Sequence, residues 1–237
     1  MPFFALKPDS SLGMLAFSAA VGLCIGCATA QAATEPSTSP AHVDPNKPKG
    51  PSSQHALALQ RQLKGKWQSQ TDKDGLLAVP MVDAKDWERV RFWAIDHFVG
   101  FKYGDDLNAL NVVMVFNLSA GEQSNPRTCM RVAEKWGRQR MNDFQIQLGP
   151  VSEETARWRK QNILVHRADA QVSIGFGPSK FSVAWAAYPA YEHACLLFAE
   201  TVPWDGEPAL AKAVLDRWSS EGVGRLTPLS SEPPARQ

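Results

Sequence analysis

Histidines and carboxylates on predicted strands are the residues whose types could carry out acid–base chemistry. The histidines are His97, His166 and His193, and the acids that could pair with them are Asp96, Glu192 and Glu200. An imidazole oriented by a carboxylate is the usual general base of a hydrolase. Asp96 and His97 are neighbours on one predicted strand, so their side chains point to opposite faces and cannot act on each other. Ordinary structural or surface roles are the competing interpretation for all three histidines.

The standard catalytic and cofactor-binding motifs are absent from the sequence. It contains no G-x-S-x-G, S-x-x-K or H-E-x-x-H pattern, no Walker loop, and no G-x-G-x-x-G after a predicted strand. We therefore predict no catalytic residues, no metal ligands and no bound cofactor. A hydrolase whose site is assembled from the strand histidines and carboxylates is the alternative hypothesis.

A row of basic residues is the most organised charged feature. Asn125 and Pro126 are a typical N-cap and first helical residue, and they predict a helix over residues 126–141. Helical spacing places four cations on one face: Arg127, Arg131, Lys135 and Arg138. The opposite face holds Cys129, Val132, Ala133 and Trp136. The basic face is either a contact surface for an acidic protein or an anionic envelope lipid, or a helix face exposed only to solvent.

Aromatic residues flank the last two predicted strands. Trp185 lies within an alternating strand and is expected in the core. Tyr188, Tyr191 and Trp204 lie in predicted loops, where aromatic rings are frequent anchors for a ligand or a protein partner. We predict a partner-binding role for these three residues. The alternative is that the rings close the end of the hydrophobic core.

Cysteine usage predicts one disulfide. The sequence has four cysteines, and Cys24 and Cys27 lie in an N-terminal segment with the pattern of a signal peptide. Cys129 and Cys195 remain in the folded part and are expected to pair in an oxidising compartment. The closed loop of about 66 residues would add about 4 kcal/mol of stability in the chain-entropy model. Two buried free thiols are the alternative.

Residues 1–32 have the three-part pattern of a secretory signal peptide. Lys7 precedes an uncharged apolar run of about 14 residues, which is shorter than the roughly 20 residues of a membrane-spanning helix. Small residues follow, and a general signal peptidase would cut before Ala33 or before Gln31. A lipoprotein cut before Cys27, whose thiol would then carry lipid, is the alternative. We therefore predict a periplasmic or secreted protein, or else a membrane-anchored lipoprotein.

The rest of the chain is predicted to form one domain between two flexible segments. Residues 33–53 are rich in Pro, Ser and Thr and are expected to be a disordered linker, and residues 226–237 a flexible tail. Residues 54–225 are long enough for a single globular domain with one hydrophobic core. The composition is 44% hydrophobic and 21% charged, with a formal net charge of +1. A charge so close to zero gives no reason to expect nucleic acid as a partner.

The order of predicted elements indicates an α+β fold. A helix at 54–67 is followed by strands at 90–103 and 110–118, helices at 126–141 and 152–160, three strands between 163 and 202, and a helix from 208 to about 222. Short links between the last strands favour an antiparallel arrangement. We predict a mainly antiparallel sheet of about five strands with helices packed on it. In outline this order resembles the small αβα sandwiches of the photosystem-oxygen-evolving-subunit type, without a shared motif.

These observations favour a non-catalytic binding or interaction domain of the bacterial envelope. An accessory or immunity-type protein would have these properties, and another envelope protein is the expected partner. Contact with a membrane is expected only through the alternative lipid anchor. A secreted hydrolase, and a small-ligand carrier with a deep apolar pocket under the sheet, are the other hypotheses.

Overall fold

The computed structural model describes residues 53–71, 76–90, 98–104, 108–143, 145–173 and 178–231. The predicted signal peptide, with the alternative lipidation residue Cys27, and all but the last residue of the predicted linker lie outside these residues. The described helices are α1 (Gln54–Lys64), α2 (Pro126–Asp143) and α3 (Pro208–Arg217), and α3 continues into a π-helical turn (Trp218–Gly222) and a 3-10 turn (Val223–Arg225). None of the helices in the described ranges is both long and apolar enough to cross a membrane.

Eight strands form one antiparallel sheet. They are β3 (Trp87–Val90), β4 (Phe98–Tyr103), β5 (Ala109–Asn117), β6 (Ile146–Leu148), β7 (Ser152–Trp158), β8 (Gln161–Ser173), β9 (Pro178–Tyr188) and β10 (Ala194–Pro203). Their order is β3-β4-β5-β10-β9-β8-β6, and β7 also pairs with β8. The smaller sheet consists of β1 (Trp67–Thr71), β2 (Leu77–Val82) and β11 (Thr227–Pro228), with β2 in the middle. The predicted α+β fold with a mainly antiparallel sheet is confirmed. The predicted number of about five strands is wrong, because the short β3 and β6 and the unforeseen β7 extend the sheet.

Strand β10 lies inside the large sheet and packs on both of its faces. Leu196 and Phe198 belong to a large core on one face, whereas the alternating Cys195 and Leu197 belong to a smaller core on the other. Successive side chains of a strand point to opposite faces, so a nearly continuous apolar sequence is what a strand covered on both sides requires. Helices α1 and α3 and the small sheet close the large core, and α2 closes the smaller one.

The end of α1 is fixed by the C-terminal part of α3. Arg217 donates hydrogen bonds to the backbone carbonyls of Gln62 and of Gly65, the latter at 2.8 Å. Its guanidinium also lies over the ring of Trp67, 5.5 Å from the ring centre. The indole N–H of Trp67 donates to the carboxylate of Glu221 at 2.7 Å, and this hydrogen bond lowers the pKa of Glu221. The helix carbonyls that lack an intrahelical partner are thus satisfied by a distant arginine.

Residues 152–160 form a strand and a turn rather than the predicted helix. β7 pairs along its whole length with β8, and Trp158 lies opposite Gln161. The first of the two residues that connect this pair, Arg159, has a φ of 53°, as tight two-residue hairpins require. The order of acids before bases would complement a helix dipole, but a helix this short is marginal without an apolar face to bury. Pairing with β8 instead satisfies the backbone of the segment.

The folded chain continues past residue 225, where the predicted domain ends. Leu226 is buried in the large core, and Thr227 pairs with Ala78 of β2. Pro80 lies within β2 at a position that the two-residue strand β11 does not reach, so its missing backbone N–H costs no hydrogen bond to β11. Residues 226–231 are therefore part of the domain rather than of the predicted tail, and residues 232–237 lie outside the described chain.

Gly222 is expected to be a position where one added methyl group destabilises the fold. A Cβ atom there would lie 2.6 Å from Cη2 of Trp67, whose ring is held in place by Arg217 and Glu221. The ring cannot move away without losing these contacts. Gly222→Ala should therefore lower the free energy of unfolding, measured by urea denaturation, by about 1–3 kcal/mol.

Gly137→Ala is the matched control for this prediction. Gly137 lies within α2, where the nearest contact of an added Cβ would be the methyl group of Met141 at 3.6 Å. Because alanine favours a helix over glycine, this variant should be unchanged or more stable by up to about 1 kcal/mol. A Gly222→Ala protein as stable as the native one would contradict the packing described around Trp67.

Candidate functional site

Helix α2 begins at the residues that the sequence predicts. The side chain of Asn125 accepts a hydrogen bond from the amide of Thr128 at 2.9 Å, and Pro126 is the first helical residue. An N-cap of this kind satisfies one of the amides that a helix leaves unpaired in its first turn. The helix then runs for 18 residues along the face of the sheet that carries the smaller core.

The inner side of α2 is fastened to the sheet by a disulfide. Cys129, Met130 and Ala133 are buried in the smaller core. Cys129 is bonded to Cys195 of β10, and their Cα atoms are 5.4 Å apart. The predicted disulfide is confirmed. It links the helix to a strand in the interior of the large sheet, so the position of the outer helix face is set by the most deeply packed part of the fold.

The outer side of α2 carries the predicted basic face, and all four of its cations are exposed: Arg127, Arg131, Lys135 and Arg138. Arg131 forms an ion pair with Glu122, and Arg138 forms one with Glu134 at 2.9 Å. The hydrogen bond from Arg131 lowers the pKa of Glu122. Arg127 and Lys135 form no ion pair with any residue that the structure describes. The helix face therefore keeps unbalanced positive charge.

His166 is the place where a histidine and carboxylates come together. Its Nδ1 atom is 2.7 Å from Oε1 of Glu134 on α2, and its Nε2 atom is 3.0 Å from Oε2 of Glu153 on β7. The buried ring packs edge-on against Trp185, with ring centres 5.7 Å apart. Because each ring nitrogen already faces a carboxylate oxygen, neither is open to accept a proton from a substrate. The arrangement joins α2 to two strands, and Trp185 is buried in the core as predicted.

The other described histidines lie apart from His166. His193 has a side chain that is 80% exposed, and its Nε2 atom is 3.7 Å from Oε1 of Glu192. His55 is buried, and its ring connects the carbonyl of Pro203, at 3.0 Å, to the side chain of Asn108, at 2.7 Å. Asp96 and His97 lie outside the described residues. Across the ranges that are described, no group of three or more His, Cys, Asp or Glu side chains is arranged to hold a metal ion.

Tyr188 and Tyr191 are buried, so the predicted partner-binding role for them is wrong. The phenol of Tyr188 donates a hydrogen bond to the carbonyl of Val223 at 3.1 Å, and its ring meets Trp158 edge-on with centres 5.1 Å apart. Burial raises the pKa of this phenol well above its ordinary value. Tyr191 is 4% exposed and belongs to the same large core. The C-terminal turn at Val223 folds back onto Tyr188, and both tyrosine rings are part of the large core.

Trp204 is half-buried beside two lysines. Its indole N–H donates to the hydroxyl of Ser182 at 2.8 Å, and the ammonium groups of Lys180 and Lys212 each lie 5.7 Å from the ring centre. Cations over an aromatic face are attracted to it and shield it from other contacts. A partner-binding role for Trp204 stays a prediction.

Glu200 occupies a position that the sequence analysis did not foresee. It lies on β10, faces the large core and is 3% exposed. The hydrolase hypothesis instead expects it to pair with a histidine in an active site. Asn111, which is 1% exposed, lies directly opposite on β5. Burial raises the pKa of Glu200 to about 8. The signal in the sequence is a single acid inside an otherwise apolar strand.

Comparison with known proteins gives no relative by sequence. No protein-family model matches the chain, and neither does any curated protein. The solution structure of cyanobacterial PsbP (CyanoP) from Synechocystis sp. PCC 6803 is similar, with a TM-score of 0.46 and 10% identity over 69% of this chain and 93% of that chain. A crystal structure from Bacteroides thetaiotaomicron VPI-5482 has a TM-score of 0.41 and 12% identity over 72% of this chain and 51% of that chain. At these scores the likenesses carry no argument about function. The chain's own geometry defines an α+β domain with a basic helix fastened by a disulfide.

Removing the disulfide should destabilise the domain. The Cys129→Ala, Cys195→Ala double variant loses the link that closes a loop with a sequence separation of 66 residues. We expect its free energy of unfolding to be lower than that of the oxidised native protein by about 2–5 kcal/mol. Urea denaturation of both proteins, followed by circular dichroism, gives this difference.

A reducing agent provides the internal control for the disulfide. It should shift the unfolding midpoint of the native protein towards that of the double variant and leave the double variant unchanged. If the native protein denatures at the same urea concentration with and without reductant, the disulfide does not stabilise α2 as described.

Proposed function

We propose that this protein is a non-catalytic binding domain of the bacterial envelope, which contacts an acidic surface of another envelope protein through the basic face of α2. The observation that carries the proposal is a row of four exposed cations on a helix whose other side is fastened by a disulfide. At 1.5 Å per residue, the row from Arg127 to Arg138 extends over about 16 Å. This length suits a contact with several carboxylates of one partner.

The charges of the row favour an acidic partner. Arg127 and Lys135 form no ion pair with a described residue, and the two ion pairs of the row, to Glu122 and Glu134, lie at the surface. Exposed ion pairs contribute little to stability, so the cations can exchange these acids for those of a partner at small cost. A patch of one sign also steers a partner of the opposite sign during diffusional encounter.

The fixed position of α2 supports a binding role. Groups that become ordered at an interface lose conformational entropy when two proteins associate. A surface that is already ordered before binding loses less of it. The disulfide holds the first turns of α2, and the contact between His166 and Glu134 holds a point further along the helix. The backbone beneath the cations is therefore pre-organised, and only their side chains need to become ordered on binding.

The alternative functions have less support among the described residues. For a hydrolase, His166 has both ring nitrogens occupied by carboxylates, and Glu200 is enclosed in the core. For a small-ligand carrier, the cavity beside Glu200 has room for only a single water molecule, whereas ligand pockets measure roughly 300–1,000 Å³. A row of exposed cations without enough neighbouring acids to balance it fits a protein contact surface better than a hydrolase active site or a ligand pocket.

Export from the cytoplasm is part of the proposal. A disulfide between core cysteines is typical of oxidising compartments such as the periplasm. The signal-like pattern of residues 1–32 is the second support. Cleavage before Ala33 gives a free periplasmic or secreted protein, whereas cleavage before Cys27 gives a lipoprotein tethered to a membrane.

Reversing two charges of the row should abolish binding. Arg131→Glu with Lys135→Glu replaces attraction for an acidic partner by repulsion, and it leaves the buried side of α2 unchanged. We expect at least a tenfold loss of the protein that is co-isolated with the tagged domain from gently cross-linked source cells. Arg157→Glu with Lys160→Glu makes the same charge change at the exposed β7–β8 turn and should leave recovery unchanged.

Equal recovery of the partner with both double variants would contradict the proposed surface.

A second measurement distinguishes a protein partner from a lipid: binding of the purified domain to vesicles of anionic phospholipid, at low and at high salt. The proposal predicts no binding above that of neutral vesicles. Strong, salt-sensitive binding that is lost in the α2 variant would assign the basic face to a membrane instead.

The intact mass of the exported protein tests the predicted processing. A mass that corresponds to a chain beginning at Ala33 or Gln31, without added lipid, is expected for an ordinary signal peptide. A chain beginning at Cys27 with the additional mass of a lipid group would show the tethered form. The full-length mass in the membrane-free periplasmic fraction would contradict both forms of export signal.

A further inference from the structure

A small cavity lies in the large core, between the sheet and helices α1 and α3. Its wall includes Gln62 of α1, Trp67 of β1, Trp87 of β3, Glu200 of β10 and Arg217 of α3. It has room for a single water molecule. Cavities of this size are either apolar and dry, or polar and hydrated by a water with two to four hydrogen-bond partners. Most of this wall is apolar, so a water molecule in the cavity would be held by its few polar groups, which include the buried carboxyl group of Glu200.

Two polar atoms of residues that line the cavity, Nε2 of Gln62 and Nε1 of Trp218, have no hydrogen-bond partner among the described residues. The same is true of both amide atoms of Asn111. Asn111 lies directly opposite Glu200, and the Cβ atoms of such cross-strand pairs are about 4.5–5.5 Å apart. Buried polar groups are nearly always satisfied, by protein or by water, because an unpaired one is costly. Three of these four atoms are N–H donors and one is an acceptor, so together they can donate hydrogen bonds to a small molecule such as water and accept one from it.

We propose that Glu200 and Asn111 form an internal binding site for one proton and one water molecule. Glu200 holds the proton as a neutral carboxylic acid, which both donates and accepts hydrogen bonds. The water molecule joins this acid to the amide of Asn111. A neutral acid suits the surroundings, because a buried carboxylate is stable only when it is paired with a cation or accepts several hydrogen bonds.

The charges that face Glu200 do not favour its ionised form. Among the described residues that line the cavity, Arg217 is the charged one besides Glu200. Its guanidinium is already engaged by the carbonyl of Gln62 and by the carboxylate of Glu221, at 3.2 Å. The strands beside β10 contribute Asn111 and an alanine, and β1 and β3 contribute indole rings. Removal from water is thus the dominant influence on the pKa of Glu200.

The proton makes the stability of the domain depend on pH. Burial raises the pKa of Glu200 from the ordinary value of 4.5 to about 8. Between these two values the unfolded chain has released the proton and the folded domain still holds it. The folding equilibrium constant therefore falls about tenfold for each pH unit across this window, and the effect of Glu200 is constant above it.

Glu200→Gln tests the proton directly, because glutamine has nearly the same shape and cannot ionise. Urea unfolding of the native protein and the variant is measured at several pH values from 5 to 9. The ratio of the native folding constant to that of the variant should fall about tenfold per pH unit up to about pH 8 and then level off. Glu192→Gln is the control, since the side chain of Glu192 is 88% exposed, and its ratio should stay constant. A constant ratio for Glu200→Gln would overturn the proposal.

A titration of the native protein does not depend on whether the variant folds. With glutamate labelled by ¹³C at the side-chain carboxyl carbon, nuclear magnetic resonance follows the ionisation of each carboxyl group. One resonance should titrate near pH 8, while the others titrate several pH units lower. If all glutamate carboxyl groups of the folded protein ionise below pH 6, the internal proton site does not exist.

Discussion

The Cys129–Cys195 bond holds α2 on the face of the sheet that carries the smaller core. Three of the nine described residues that are buried in this core are alanines: Ala133 of α2, and Ala168 and Ala187 of the sheet. Burying a side chain contributes in proportion to its apolar area, so alanines contribute little. The outer side of the same helix is kept polar and cationic, which adds nothing to packing. A covalent link to the interior strand β10 compensates for both, and the basic face depends on it for its position.

The opposite face of the sheet is stabilised in another way. Its core is large and contains bulky buried rings such as Trp158, Trp218 and Phe198. Hydrophobic burial there is sufficient to tolerate polar groups in the interior, including the neutral acid that we infer at Glu200. We therefore expect the two faces to differ in their sensitivities: the α2 face should respond to the redox state of its cysteines, and the other face to pH. Both cores share β10, which couples them through one strand.

Local signals in the sequence predict α2 and β10 well, and distant contacts explain where prediction fails. The cap at Asn125 and the alternation of apolar residues act over a few positions, so they can be read without the fold. The sequence predicts a loop at Tyr188, but a turn 35 residues later contacts and covers this side chain. Glu134 and His166 meet across 32 residues, which no spacing rule anticipates. The charge order of residues 152–160 predicts a helix, whereas pairing with β8 makes most of this segment the strand β7.

The proposed function requires that the outer face of α2, and not another exposed basic surface, contacts an acidic partner in the cell. A photoreactive amino acid placed at Lys135 in the full chain, expressed in the source cells, would capture that partner. The same amino acid at Lys160, which is also exposed, reports on chance encounters. We expect one discrete cross-linked protein with an acidic surface from position 135 and none of it from position 160. The same adduct from both positions, or none from position 135, would contradict the account.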